Sequence, residues 1–144
     1  MLTFSVGAIL GKPPGTKVQF DFDTTVKWSG PGDPHLLKPV SGTVQFLKLP
    51  HEINAQISDV DTLAAERCSR CLKSMEYPIH IDFAEREFII DLPERDLEEG
   101  EERKFVNREK AQIDLNDMIR EELLLHYPFI PVCSESCKGL CSKC

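Results

Sequence analysis

The segment YPIHIDFAEREFIID, residues 77–91, decides the fold. Ile79, Ile81 and Phe83 alternate with polar residues, the period of a strand that buries one face. Phe88 falls on the opposite parity, so the segment predicts a long strand interrupted by a bulge or bend. Upstream, VSGTVQFLKL (40–49), EINAQISDV (52–60) and TLAAERC (62–68) read as further strands, bounded by proline, by Asp59-Val60-Asp61 and by cysteine. Connections this short favour antiparallel neighbours. The expected fold is α+β: a mostly antiparallel β-sheet, as a meander or small barrel-like sheet, with one C-terminal amphipathic helix and cysteine knuckles.

The flanks fill in a single domain over residues 1–144. Prolines at 13, 14, 31, 34 and 39 make residues 1–39 loop-rich. Within them, Val18, Phe20 and Phe22 of TKVQFDFDTTVKW (16–28) alternate as a strand does. LTFSVGAIL (2–10) lacks preceding basic residues and a small-residue cleavage site, and reads as a strand rather than a signal peptide. After the sheet region (40–90), residues 91–104 carry seven acids against three bases, a mobile acidic loop by composition.

IDLNDMIREELLLHYP (113–128) predicts a helix over 113–127. Asp114 serves as N-cap, Asp117 complements the first-turn dipole, and Pro128 stops the helix. Leu115, Met118, Ile119, Leu123 and Leu125 form its apolar stripe, and Glu122 lands in the middle of that stripe. A buried carboxylate needs a partner, and an arginine from the sheet is the natural one.

Composition bounds the function. With 41% hydrophobic and 28% charged residues the chain is globular, and no apolar run approaches a membrane span. Its net charge of −7 removes the general basic stripe of a nucleic-acid binder, so any RNA contact must be local. His35, His51, His80 and His126 have no nucleophile at a recognisable spacing, and no phosphate loop or paired-carboxylate pattern is present. These features argue against an enzyme.

All six cysteines lie in two clusters, CSRC at 68–71 and CSESCKGLCSKC at 133–144. Clustered Cys-x-x-Cys pairs in a chain without a secretion signal point to metal in a reducing cytoplasm rather than to a disulfide framework. Structural zinc takes four tetrahedral ligands, often two from each Cys-x-x-Cys turn. That reasoning selects Cys68, Cys71, Cys141 and Cys144 for one structural zinc ion, with Cys133 and Cys137 as alternates. A set local to the tail, Cys133, Cys137, Cys141 and Cys144, also satisfies the count. A thiol-redox role for Cys68 and Cys71 requires a helix N-terminus that the flanking strands do not supply. Arg67, Arg70, Lys73, Lys138 and Lys143 all stand near a cysteine. They offset the excess negative charge of a zinc tetrathiolate and offer the one local basic face for RNA phosphate.

A strand entering ERCSRCL (66–72), a long strand, an acidic loop, a helix opening IDL (113–115), and the tail segments YPFIPVC (127–133) and CKGLCSKC (137–144) together resemble the YceD family of large ribosomal RNA subunit accumulation proteins. The resemblance spans residues 40–144 and rests by position on Cys68, Arg70, Cys71, Cys137, Gly139, Leu140, Cys141 and Cys144. It implies a non-catalytic factor of the bacterial cytoplasm that supports 23S ribosomal RNA accumulation and large-subunit assembly. The implied partner is ribosomal RNA or a large-subunit intermediate. A basic ribosomal protein, escorted by the acidic loop, is the alternative partner.

Overall fold

The computed structural model describes residues 2–90, 105–107, 109–128 and 130–140. Its frame is a long antiparallel hairpin of β5 (Glu52–Arg67) and β6 (Ser74–Ile89), 16 residues each. At about 3.3 Å per residue each arm spans about 50 Å. β4 (Val40–Lys48) pairs with β5 over its first half, and β2 (Lys17–Thr24) pairs with β4. The short β3 (His35–Leu36) takes the place beside β5 opposite Ala64 and Ala65, where β4 has run out. The sheet is thus an open antiparallel meander. Among the described residues it does not close into a barrel.

EINAQISDV and TLAAERC form one strand, not two. Asp59 adopts φ +50°, and the β4–β5 register shifts by one residue between Ser41 and Thr43, opposite this point. Aspartate tolerates the left-handed region better than most residues, so it accommodates the extra residue of a bulge. The buried parity of β5 changes there, from Ile53, Ala55 and Ile57 to Val60 and Ala64. β6 follows, from Ile79 and Ile81 to Phe88, and the two strands keep register through the shared bend. The expected parity slip is therefore present, but it falls before Phe83, which is 55% exposed.

A second layer covers the inner face. β1 (Thr3–Ser5) pairs with β7 (Gln112–Asp114), and the short α1 (Gly7–Leu10) follows β1. Phe4 packs against Phe20, Phe22 and Phe46 with ring centroids 5.6–6.0 Å apart. α2 (Asn116–Leu125) closes the layer with Met118, Ile119 and Leu123 buried. The expected helix begins later than its sequence suggested because residues 112–114 are strand, a piece too short to show a period. Asp114 is not the N-cap, a place taken by Leu115 without a side-chain cap bond; from the end of β7 the Asp114 Oδ1 accepts the Asn116 amide at 2.8 Å in a local turn. Leu125 is 75% exposed: it occupies the last helical position, past the core contacts.

The proline-rich connection between β2 and β3 is fastened to α2. Trp28 Nε1 donates to Asn116 Oδ1 at 3.1 Å, and Arg120 meets the nearly buried Asp33 carboxylate at 2.6–2.7 Å. The arginine beside it, with the Gly30 amide, holds Asp33 below the usual carboxylate range. Glu122 finds the partner expected of it, Arg86 of β6.

Candidate metal centre and its basic surround

Beyond α2 the chain is led back to the far end of the long hairpin by contacts of Tyr127, Pro131 and Arg70. The Tyr127 ring stands edge-on to Tyr77 with centroids 6.1 Å apart, and its hydroxyl donates to Glu66. Pro131 O then accepts the Ser69 amide at 2.7 Å, a β-like bond from the tail to the knuckle turn. The Arg70 guanidinium spans the gap, donating to Glu135 O at 3.3 Å and Cys137 O at 3.0 Å.

The turn joining β5 to β6 is itself a knuckle. The Leu72 amide donates to Cys68 O and the Cys68 amide to Lys73 O, each at 2.9 Å, while Leu72 takes φ +61°. On the tail side, Cys137 N donates to Ser134 O at 3.1 Å, closing a second turn. Gly139, at φ +84°, brings the chain against Arg70 O, and an added Cβ would lie 3.4 Å from that oxygen. Glycine is the residue that adopts this conformation without steric cost.

These turns bring Cys68, Cys71, Cys133 and Cys137 together, with all four sulfurs within 4.8 Å of one another. Cys68 Sγ to Cys137 Sγ and Cys71 Sγ to Cys133 Sγ are both 3.7 Å. A tetrahedron with metal–sulfur bonds of about 2.3 Å has edges of about 3.8 Å, so the donor set fits a tetrahedral thiophilic ion. The four cysteines can hold a metal ion.

The electrostatics of the cluster are graded. Amide groups of Cys71, then Cys133 and Arg70, point at the buried Cys68 sulfur and outweigh its burial, lowering its pKa to about 6. Cys133 is pushed up to about 12, because its proton is shared with the sulfurs of Cys137, Cys71 and Cys68. Without a cation the Cys68 thiol ionises readily and the Cys133 thiol resists ionisation. A divalent ion reverses that order, since a coordinated thiol is deprotonated outright.

Of the residues singled out in the sequence, Cys68 and Cys71 are in this cage, joined by Cys133 and Cys137, the alternates. Cys141, Cys144 and Lys143 lie outside the described residues, as does the acidic segment 91–104. Arg67, Arg70, Lys73 and Lys138 are exposed around the cage, and Leu72 and Leu140 are exposed with them, at 53% and 64%. Arg70 already serves the tail carbonyls. The Tyr127–Glu66 and Ser69–Pro131 contacts carried no sequence signal: their partners are more than 60 residues apart and have no motif.

The profile of the large ribosomal RNA subunit accumulation protein YceD matches residues 58–144, the long hairpin from its bend, α2 and the whole tail. The chain belongs to the YceD family. The family's name supports a role in ribosome biogenesis, directed at the large-subunit ribosomal RNA. No curated protein and no solved structure matches the chain. Among the described residues no helix is long and apolar enough to cross a membrane.

Proposed function

We propose that this YceD-family protein is a non-catalytic factor of the bacterial cytoplasm that supports 23S ribosomal RNA accumulation during large-subunit assembly. In this reading one structural zinc ion is held by Cys68, Cys71, Cys133 and Cys137. The observation that carries it is the four-sulfur cage with 3.7 Å edges inside the family-matched region. The zinc ion supplies no chemistry to a substrate. It neutralises thiolate charge and fixes the tail against the hairpin end, so that residues from both sides of the chain share one surface.

Arg67 and Lys73 flank the knuckle on the hairpin side and Lys138 stands on the tail side, all exposed on an otherwise acidic protein. Lys143 is the further candidate on the tail. Their chemistry suits the phosphate backbone of ribosomal RNA, which positions a protein without reading sequence. The test is the triple variant R67E/K73E/K138E, assayed for co-sedimentation with large-subunit precursors. Loss of association with zinc content and circular dichroism unchanged supports the surface. Undiminished association removes it.

A further inference from the structure

The turn that carries Cys68 and Cys71 holds a residue whose side chain the fold does not account for. Three non-glycine residues among those described take a positive φ: Asp59, Leu72 and Ala111. Asp59 serves the β5 bulge, and Ala111 is a small residue in the turn before β7. Leu72, at φ +61°, is neither small nor short and polar, and the left-handed region costs such a side chain free energy that glycine avoids. Core packing does not offset that cost, because Leu72 is more than half exposed. A strained, exposed side chain points to a use outside the fold.

Leu72 has apolar company. Among the described residues seven large hydrophobic side chains are exposed, and three of them, Leu72, Ile130 and Leu140, border the cysteine cage. Backbone contacts hold them to one end of the molecule. Ile130 precedes Pro131, whose carbonyl accepts the Ser69 amide, and Leu140 follows Gly139, which abuts Arg70 O. Basic side chains are interleaved with them: exposed Lys73 is next to Leu72, and exposed Lys138 is two residues before Leu140. Residues 67–73 and 130–140 carry four bases against one acid, Glu135, in a chain of net charge −7.

We propose that this apolar and basic end of the molecule takes an unpaired stretch of ribosomal RNA, with Leu72 and Leu140 against base faces and Arg67, Lys73 and Lys138 on the flanking phosphates. The inference rests on the reading of the protein as a ribosomal RNA factor and names the state of the RNA it meets. A duplex keeps its base faces stacked inside and shows a protein its phosphates and 2′-hydroxyls, which an exposed leucine does not use. Unpaired nucleotides turn those faces outward. An apolar side chain that meets one leaves water without reading sequence, since every base has such a face. Basic side chains alone serve either form; the leucines select the single strand. Interleaved apolar and basic side chains also suit an acidic peptide, but the match to a ribosomal RNA accumulation family favours the nucleic acid.

The test is equilibrium binding of the full-length, zinc-loaded chain to a dye-labelled RNA of about 12 nucleotides, single-stranded or annealed to its complement, at matched ionic strength. The single strand should bind about tenfold more tightly than the duplex. Leu72→Gly suits the positive φ, so its thermal midpoint should hold or rise and its zinc content stay. Its single-strand affinity should fall severalfold with an unchanged salt slope, because the phosphate contacts remain. Leu140→Ser should add to that loss. Equal affinity for both forms, undiminished by Leu72→Gly, overturns the base contact and leaves the phosphate surface of the proposed function standing. Binding of neither RNA overturns this inference and that surface together. A lowered midpoint in Leu72→Gly overturns the inference by showing that the side chain serves the fold. Loss of precursor association in that variant with RNA affinity intact also overturns it, and assigns the leucine to a protein partner.

Discussion

The Arg86 guanidinium of β6 lies 3.6 Å from the Glu122 carboxylate of α2 and donates also to the neighbouring Glu121. It ties the long hairpin to the helix. The Glu122 side chain is only 15% exposed, so removing its partner leaves a charge with little access to water. Arg86→Met is expected to cost about 2 kcal/mol, below the range for a fully buried pair because both groups retain some solvent. The double variant R86M/E122L should recover most of that loss. Urea unfolding of the single and double variants checks this; a double variant no more stable than R86M would show that the pair matters through packing alone.

A second prediction concerns the bulge. A Cβ added at Gly42 would stand 2.9 Å from Val60 Cγ2, 3.0 Å from Phe22 Cζ and 3.1 Å from Val60 Cα. The last of these is backbone and cannot swing away. Gly42→Ala should therefore destabilise by about 2 kcal/mol, as overpacking does. V60A/G42A should regain only part of it, because the backbone contact persists. Thermal unfolding distinguishes these outcomes, and full rescue would mean that the Val60 methyl alone sets the spacing.

Strand identity was legible in the sequence wherever one face is buried: Val18, Phe20 and Phe22, or Ile53, Ala55 and Ile57, state their period directly. The bend was legible only as a conflict of parity within 77–91, and its position was not. It depends on Asp59 accepting a positive φ in the neighbouring strand, which no periodicity within β6 contains. The four-thiol site was half legible. Cys68 and Cys71 announce themselves by their two-residue spacing, whereas Cys133 and Cys137 have three residues between them and compete with the tidier pair at 141 and 144. What brings Cys133 and Cys137 into place is Tyr127 on Glu66 and Pro131 on Ser69, long-range contacts that a linear motif does not encode.

His80 provides a pH signature. Hydrogen bonds that the ring donates to Asp61 and Asp82 raise its pKa above the ordinary value of 6.5. A group whose folded pKa is raised stabilises the fold fully below its unfolded pKa and loses that contribution as pH climbs through the folded value. The wild type should therefore lose part of its advantage over His80→Gln as pH rises from about 6 to about 8. The urea midpoint of both proteins across that window checks this, since contributions from other groups cancel in the difference. A difference independent of pH would show that the imidazolium does not favour the folded chain.

The metal cage yields the sharpest expectation. The proposed set predicts one zinc ion per chain, lost in Cys68→Ser, Cys71→Ser, Cys133→Ser and Cys137→Ser, and kept in the double variant C141S/C144S. Cobalt substitution should give the intense sulfur-to-metal charge-transfer bands of a tetrahedral tetrathiolate in that double variant. Retention of metal by C133S/C137S with loss in C141S/C144S would transfer the site to the second Cys-x-x-Cys pair. Loading should also release protons at neutral pH, because Cys133 is held at about 12 without a cation and must ionise to ligate. Acid then competes with metal, so zinc affinity falls as pH is lowered. Chelation should lower the thermal midpoint and, by freeing the tail, open the Arg70–Cys137 contact to protease. A tail that stays protected after complete zinc removal would mean that Tyr127, Pro131 and Arg70 hold it unaided, and that the ion is not the clamp.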